Sequence, residues 1–248
     1  MASRKGPRTS HEAPFVIHIE VVASRVENPR AYPFAIPAVR ELGVLRLHPR
    51  VTYFVGENGS GKSTLVEAIA VAMGLNAEGG SQNFNFATRR SESPLGRALR
   101  IARTPARPRT MFFLRAESYF NVATNIEVLD RATPGPPLIA SYGGRSLHEQ
   151  SHGESFLALL KHRFGPGGFY VLDEPEAALS PARQIDAIAR IHELVAEGSQ
   201  FVIATHAPIL LSFPNAAIYE LDGDGIHPTR YDDTATVRVT RDFFDRRK

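Results

Sequence analysis

Short stretches of alternating or continuous apolar residues divide the chain into predicted strands and helices. The pattern predicts strands at Phe15–Val22 and Arg50–Val55, and a glycine-rich turn directly follows the second strand. Lys62–Met73 then carries apolar residues at helical spacing and is followed by Gly74, a residue at which helices commonly stop. The pattern therefore predicts a strand, a glycine-rich loop and a helix in succession.

Further along the chain, predicted strands alternate with predicted helices. The strands are Arg97–Arg103, Thr110–Arg115, Gly168–Asp173, Gln200–Thr205, Ile218–Leu221 and Ile226–Tyr231, and the helices are Asn121–Leu129, Ser155–Phe164 and Pro181–Ala196. We expect the last helix to face inward through Ile185, Ile188 and Val195, and Asp222–Gly225 to form a hairpin turn. Prolines beyond residue 103 indicate that Arg97–Arg103 is an edge strand. This alternation predicts the α/β class.

The composition is that of an ordinary globular protein, with 43% hydrophobic and 22% charged residues among 248. The absence of cysteine excludes a disulfide framework, a thiolate metal site and a cysteine nucleophile, and agrees with a reducing cytoplasm. No apolar run is long enough to span a bilayer. The basic N-terminus is not followed by the apolar stretch that a signal peptide requires. We expect one cytoplasmic domain over residues 1–248, with residues 1–14 flexible and a variable inserted or helical region at residues 76–130.

Positive charge is concentrated in one part of the chain. The formal net charge is +3, but the segment Arg89–Arg109 holds seven arginines and one acidic residue. We call this segment the basic block. Such a block can bind phosphate, nucleic acid or an acidic partner, and a solvated basic loop without a ligand is the alternative.

A glycine-rich octapeptide follows the second predicted strand. Residues 56–63, GENGSGKS, match the phosphate-binding pattern G-x-x-x-x-G-K-[ST], and they lie between a strand and a helix as that pattern requires. Its glycines let backbone N–H groups converge on phosphate oxygens, and the helix N-terminus adds a favourable dipole. We expect Lys62 to bridge the β- and γ-phosphates, Ser63 to ligate Mg²⁺ and Thr64 to reach the α-phosphate. The candidate nucleotide-binding residues here are Gly56, Glu57, Asn58, Gly59, Ser60, Gly61, Lys62, Ser63 and Thr64.

Two acidic residues end the apolar strand predicted at residues 168–173. By themselves they are typical of a buried strand followed by a helix cap. Together with the phosphate loop, Asp173 becomes a candidate Mg²⁺ ligand and Glu174 a candidate base that polarises the attacking water. His206 ends another buried strand, where an imidazole can contact a γ-phosphate or simply cap and pack. The candidate catalytic residues are Lys62, Glu174 and His206.

A second candidate anion site precedes the helix predicted at residues 155–164. The segment Ser151–Glu154 combines a serine hydroxyl, the N–H of Gly153 and a helix N-terminus. Considered alone, it is a helix-capping sequence. Two anion sites so far apart in one chain suggest that a nucleotide is shared between two copies.

The order of these motifs resembles that of the ATP-binding-cassette (ABC) ATPases over nearly the whole chain. In this resemblance the phosphate loop matches Walker A, Ser151–Glu154 the signature, Asp173-Glu174 Walker B, Ala177–Pro181 the D-loop and His206 the switch histidine. It implies a P-loop fold with a mostly parallel sheet flanked by helices and an antiparallel β subdomain. It also implies an ATP-bound homodimer in which Ser151, Gly153 and Glu154 approach the nucleotide of the other subunit, with His152 replacing the usual first glycine.

The motif sequences resemble those of the RecF, SMC and OLD proteins of this superfamily, often called AAA family ATPases, more than those of a transport subunit. The matching segments are GENGSGKST, LDEPEAALS and ATHAP. Only 86 residues lie between Thr64 and Ser151, too few for an SMC coiled coil, and 42 follow His206, too few for an OLD-type nuclease domain. The expectation is an ATPase head using ATP and Mg²⁺, coupled to DNA, a DNA-associated protein or an unidentified protein partner.

Two other functions remain open at this stage: the ATP-binding subunit of an ABC transporter, and an ATP-gated interaction switch with little turnover. Transport subunits carry a Q-loop glutamine after the strand at residues 110–115, where this chain offers Arg115 and Glu117, while Gln82 lies earlier. For the adenine, Tyr32 or Phe34 is the candidate stacking residue, and core packing is the alternative.

Overall fold

The structure is a computed structural model that describes residues 13–81, 93–116 and 151–247 and the isolated positions 124, 128, 130, 139, 140 and 144. In chain order, the strands are β1 (Val16–Val21), β2 (Leu45–Arg46), β3 (Val51–Gly56), β4 (Leu99–Arg103), β5 (Met111–Arg115), β6 (Phe169–Asp173), β7 (Gln200–Ala204), β8 (Ala217–Asp222) and β9 (Gly225–Thr229). The α-helices are α1 (Pro37–Arg40), α2 (Lys62–Ala72), α3 (Leu95–Ala98), α4 (His152–His162), α5 (Pro181–Ala196) and α6 (Ala235–Asp245).

The larger sheet has the strand order β5-β6-β7-β3-β8-β9. Its neighbours run parallel except β8 and β9, which form an antiparallel hairpin around Gly223 and Asp224. Parallel strands end at the same edge of a sheet, so β3, β6 and β7 all deliver their following residues to one edge. That edge therefore receives the phosphate loop, the Asp173-Glu174 pair and His206.

A smaller antiparallel sheet has the order β2-β1-β4, with β4 at its edge. The predicted α/β fold, with a mostly parallel sheet, flanking helices and an antiparallel subdomain, is confirmed. The hairpin predicted at Asp222–Gly225 and the edge position of β4 are confirmed as well.

The strands of the larger sheet alternate between two apolar layers. Val51, Tyr53 and Val55 of β3 pack into one layer with α4 and α5, whereas Phe54 points to the opposite layer with α2 and the smaller sheet. This alternation is the period of two expected of a strand buried on both faces. As a result, α2 and the loop that precedes it are held against one face of the sheet.

Several elements differ from the prediction. Helix α4 begins at His152 rather than at Ser155, because Ser151 and Glu154 form a capping box that starts the helix earlier. The predicted inward face of α5 is wrong at Ile185, which is 61% exposed. The residues of α5 that are buried are Gln184, Ala187, Ile191 and Leu194.

Some predicted elements fall on residues that the structure does not describe. The helix at residues 121–129 and the basic-block residues 89–92 lie outside the described ranges apart from positions 124 and 128. The short elements β2, α1 and α3, and the C-terminal helix α6, were not predicted from the sequence pattern.

Candidate nucleotide-binding site

The phosphate loop joins β3 to α2 through glycines in conformations that other residues rarely adopt. Gly56 has φ +144° and Gly61 has φ +102°. A Cβ atom at Gly56 would lie 2.2 Å from the carbonyl oxygen of Leu221 in β8, and one at Gly61 would lie 2.9 Å from the Ile36 side chain. Both the backbone angles and the close neighbours therefore require glycine at these two positions.

Lys62 is the first residue of α2, and its side chain folds back over the loop. Only 3% of it is exposed, and Nζ donates hydrogen bonds to the carbonyl oxygens of Gly56 (2.8 Å) and Glu57 (3.1 Å). The same Nζ lies 3.9 Å from Oε1 of Glu174. The structure thus brings two of the candidate catalytic residues together at the loop.

Glu174 directly follows β6 in a left-handed backbone conformation, with φ 48° and ψ 52°. Its N–H donates to the carbonyl oxygen of Ala204 at the end of β7, which holds this turn in place. A non-glycine residue in this region costs roughly 1–2 kcal/mol, so such backbones persist where surrounding contacts enforce them and cluster at functional sites. The conformation turns the Glu174 carboxylate toward Lys62, with 32% of the side chain exposed.

Asp173 lies in a largely buried charge cluster that no sequence pattern predicted. Arg115, at the end of β5, places Nε 3.4 Å from Oδ2 of Asp173 and Nη1 2.7 Å from Oε2 of Glu67. Glu67 lies on α2 one turn after Ser63. We call Glu67, Arg115 and Asp173 the arginine cluster. The sequence gives little sign of this cluster, because its three residues are far apart along the chain. Arg115 and Asp173 become neighbours only through the pairing register of β5 and β6.

The donor atoms offered here suit Mg²⁺. Ser63 and Asp173 would supply a hydroxyl and a carboxylate oxygen, which are the hard ligands that this ion prefers. No group of three or more histidine or acidic side chains able to hold a metal occurs among the described residues. A site with one or two protein oxygens, completed by phosphates and water, is typical of Mg²⁺ bound together with a nucleotide. The buried hydroxyl of Ser60 makes no hydrogen bond to another described residue, which fits a loop built to meet a ligand.

His206 lies beside the phosphate loop. It borders a cavity of about 260 Å³ that Gly56, Glu57 and Asn58 also line, together with residues of α6. Its N–H donates to Oε1 of Glu176 at 2.7 Å, and its Nδ1 lies 3.3 Å from the same oxygen. Glu176 is a further residue that the sequence analysis missed, although it is the next carboxylate after Glu174.

The predicted signature residues form the start of α4. The Ser151 hydroxyl donates to Oε2 of Glu154 at 2.8 Å, and Arg183 of α5 lies 3.4 Å from Oε1 of the same carboxylate. These contacts hold the pKa of Glu154 below its ordinary value, the Ser151 hydroxyl contributing most. A Cβ at Gly153 would lie 2.9 Å from Arg183 and 3.0 Å from the Ala178 carbonyl oxygen, so this glycine is required by packing. In the ranges described, no hydrogen bond or ion pair joins Ser151, Gly153 or Glu154 to the phosphate loop.

The two candidate adenine-stacking residues have different environments. Tyr32 is 68% exposed, and its hydroxyl lies 2.9 Å from the Thr64 hydroxyl oxygen. Phe34 is 7% exposed and belongs to the apolar layer under α2. Both border a cavity of about 230 Å³ that Arg25 and Arg97 also line. The Q-loop candidates Gln82 and Glu117 lie outside the described residues.

Comparison with known proteins agrees with this geometry. A family model described as "AAA domain" matches residues 26–104, and another described as "AAA domain, putative AbiEii toxin, Type IV TA system" matches residues 143–212. Among solved structures, the ADP conformation of an ABC transporter's ATP-binding cassette is 19% identical, with a TM-score of 0.50 over 92% of this chain and 98% of that one. The chain has the P-loop fold of an ATP-binding cassette.

Two further structures were matched. An inward-facing putative metal-chelate type ABC transporter is 14% identical, with a TM-score of 0.52 over 91% of this chain and 88% of that one. The SMC head domain from Thermotoga maritima is 19% identical, with a TM-score of 0.41 over 75% of this chain and 93% of that one. A search of curated proteins finds no significant match.

Part of the basic block lies on the surface of this fold. Its five described arginines are all exposed: Arg97, Arg100, Arg103, Arg107 and Arg109. Arg100 pairs with Glu20 at 2.6 Å, and Arg103 donates to the carbonyl oxygen of Ala72. Arg89 and Arg90 lie outside the described residues.

Of the helices that are described, none combines the length and the apolar character needed to span a membrane.

Proposed function

We propose that this chain binds ATP together with Mg²⁺ and hydrolyses it in an ATP-bound homodimer, and that this cycle acts on a separate partner. The observation that carries the proposal is the 3.9 Å approach of Lys62 Nζ to Oε1 of Glu174. It puts a phosphate-binding cation beside the carboxylate best placed to activate water. ABC/SMC-like heads share this fold, and the family-model matches to AAA domains support an ATPase.

Each residue has a defined task in the proposed reaction. The loop N–H groups and Lys62 would bind the β- and γ-phosphates, while Ser63 and Asp173 would hold the metal ion. Bound Mg²⁺ would neutralise negative charge on the phosphate oxygens. Glu174 takes a proton from water as the water oxygen bonds to the γ-phosphorus. The bond from that phosphorus to the β–γ bridging oxygen breaks, which yields ADP and phosphate.

The role of Glu174 is tested by comparing turnover and binding in matched variants. Lys62→Ala should weaken ATP binding, whereas Glu174→Gln should bind ATP and lose roughly 10²- to 10⁴-fold in turnover. Glu197→Gln is the matched control, because it makes the same chemical change at an exposed carboxylate beyond α5. Unchanged turnover in either site variant contradicts the mechanism.

The homodimer is supported by the position of α4. Its capped N-terminus contacts α5 and the turn that follows Glu174, and it makes no hydrogen bond to its own phosphate loop within the described part of the chain. A helix N-terminus in that position is suited to a phosphate held by a second copy. Ser151, Gly153 and Glu154 would then complete the site of the partner subunit.

Mixing two inactive variants distinguishes a shared site from a site within one chain. Lys62→Ala removes the phosphate-binding cation, and Ser151→Arg blocks the exposed start of α4. In a shared-site dimer, the mixture contains one site with intact Lys62 and intact Ser151, so turnover should return. Light scattering of Glu174→Gln should also show a dimer with Mg-ATP and a monomer without it. No recovery on mixing, together with a monomer in both conditions, contradicts the dimer.

The exposed arginines of the basic block favour a polyanionic partner, and we extend the proposal to DNA. Phosphate contacts release counterions, so binding should weaken steeply with salt. Replacing Arg97, Arg107 and Arg109 by glutamine should reduce both the DNA affinity and its salt dependence. Binding that is absent or independent of salt contradicts this extension and leaves the ATPase proposal intact.

A further inference from the structure

We propose that Glu176 is a positioning residue for His206: its carboxylate keeps the proton on Nδ1 and turns Nε2 toward the nucleotide. The inference rests on the proposed function, because it takes His206 to meet the γ-phosphate. Glu176 belongs to the short 3₁₀ helix Pro175–Ala178, which begins directly after Glu174. The catalytic base candidate and the residue proposed to orient the histidine are thus two positions apart, at the start of the same short helix.

The contacts of the Glu176 carboxylate converge on His206. Oε1 accepts the His206 backbone N–H at 2.7 Å and lies 3.3 Å from Nδ1. The side chain is 8% exposed, and Oε2 makes no hydrogen bond to any described residue. Burying a carboxylate is costly unless it is paired and hydrogen-bonded. The hydrogen bond from the His206 backbone therefore holds the carboxylate in place beside the imidazole.

His206 is also anchored from the opposite side. The Thr236 hydroxyl of α6 donates to the His206 carbonyl oxygen at 2.6 Å. The two backbone bonds fix the main chain at this residue, so the imidazole can reorient only about its own side-chain torsions. The contact of Nδ1 with Glu176 then selects among those orientations.

The chemistry follows from which ring nitrogen faces an acceptor. A nitrogen beside a carboxylate keeps its proton, and the hydrogen bond at one ring nitrogen determines what the other can do. With Nδ1 facing Glu176, Nε2 is the nitrogen left for the cavity that His206 shares with Gly56, Glu57 and Asn58. Half of the His206 side chain is exposed, which leaves room for a ligand.

The tautomer can be measured without ATP. Long-range ¹H–¹⁵N spectra of histidine-labelled protein distinguish a protonated Nδ1 from a protonated Nε2, and His206→Gln identifies the resonances of His206 among the nine histidines. We expect Nδ1–H in the wild-type protein and a shift toward Nε2–H in Glu176→Ala. Glu176→Gln retains an acceptor oxygen and should keep Nδ1–H, while Glu197→Gln should leave the spectrum unchanged.

Turnover provides the second readout. Glu176→Ala should lower kcat roughly 10- to 100-fold, as loss of an orienting partner does, with a much smaller change in KM because Lys62 and the loop are untouched. In a His206→Ala background the same substitution should have no further effect, since the residue it positions is gone. Circular dichroism and the Glu176→Gln variant check that the protein remains folded.

The outcomes separate the two proposals. The same tautomer in wild type and Glu176→Ala overturns the role of Glu176, and so does an equal loss of turnover with and without His206. If the wild-type protein hydrolyses no ATP, the proposed function fails, and the NMR comparison still decides whether Glu176 controls the histidine proton.

Discussion

Nε of Arg115 lies 3.4 Å from Oδ2 of Asp173, and the two residues are direct partners in the parallel pairing of β5 with β6. The same guanidinium reaches Glu67 on α2 at 2.7 Å. One partly buried cation thus links the strand that carries the candidate metal ligand to the helix that follows the phosphate loop. The arginine cluster joins the two halves of the nucleotide site independently of any nucleotide.

Removing Arg115 should destabilise the protein strongly. Arg115→Gln would leave Glu67 and Asp173 largely buried without the guanidinium. Breaking a buried ion pair costs about 3–5 kcal/mol, and we expect the lower end of that range because Arg115 is partly exposed. Urea unfolding followed by circular dichroism measures this loss. Arg107→Gln, at an exposed position, should change the unfolding free energy by less than about 0.5 kcal/mol.

A double-mutant cycle tests whether Arg115 and Glu67 form one unit. Arg115→Gln combined with Glu67→Gln should cost less than the sum of the two single variants, because the double variant leaves one fewer unpaired carboxylate. Strict additivity of the three unfolding free energies would contradict the coupling.

Two glycines of the phosphate loop, Gly56 and Gly59, should respond differently to substitution by alanine. At Gly59, with φ +83° and nothing within 4 Å of an added Cβ, the cost is backbone strain of roughly 1–2 kcal/mol. At Gly56 the Cβ would collide with the Leu221 carbonyl oxygen, so β3 and β8 must separate and the loss should be about 3 kcal/mol or more. Chemical denaturation of Gly56→Ala and Gly59→Ala measures both. Equal losses would mean that the Leu221 contact is not decisive.

Ser151 should stabilise α4 in a pH-dependent way. Ser151→Ala removes an N-cap, which costs about 1 kcal/mol. The contacts of Glu154, of which the Ser151 hydroxyl contributes most, lower the pKa of its carboxyl group. These contacts therefore stabilise the fold above the unfolded pKa of the carboxyl, and this stabilisation is lost as the pH falls through the folded pKa.

Unfolding of wild type and Ser151→Ala at neutral and at acidic pH tests this expectation. The difference between the two proteins should be larger at about pH 7 than at acidic pH, because it shrinks as the pH falls through the lowered pKa of Glu154. A difference that grows on acidification would show that the ionised carboxylate is not part of the cap.

Substitution of Tyr32 should reduce ATP affinity, whereas substitution of Phe34 should reduce the stability of the protein. Tyr32→Ala removes an exposed ring beside Thr64, so ATP affinity should fall about 10-fold, the effect of losing one base-stacking aromatic, with little change in melting temperature. Phe34→Ala empties a buried site and should cost about 3–5 kcal/mol of stability. Calorimetric ATP titration and thermal melts distinguish the two. Unchanged affinity in Tyr32→Ala excludes it as the adenine platform.

Local patterns in the sequence were sufficient for the α/β class, the loop between β3 and α2, and most strands, because those signals are short-range. The face of α5 shows where such patterns fail. Ile185 follows the apolar spacing yet is exposed, whereas Gln184 is buried because its Nε2 donates to the Leu179 carbonyl oxygen. Ile188 and Val195 do pack against the core, so the prediction fails only at Ile185, which lies about 100° around the helix from the buried Gln184.

The parts of the candidate site that the sequence did not reveal are pairs of residues from distant segments. Arg115 is aligned with Asp173 by strand register, and Glu176 meets His206 across neighbouring strand ends. Register and loop geometry depend on packing over the whole sheet, and no spacing within a single segment encodes them. The motif residues themselves were identifiable because their chemistry requires a fixed local spacing.

The pairing of β3 with β8 extends the nucleotide site beyond the motifs. Every motif residue precedes Ala207, yet β8 supplies the carbonyl that crowds Gly56 and pairs along β3 up to the start of the loop. A fragment ending at His206 would contain the complete set of motifs and still leave β3 with an exposed edge of unpaired backbone groups. We therefore expect the smallest fragment that keeps the phosphate loop in this conformation to include β8, so the motifs alone do not show where the chain can be shortened.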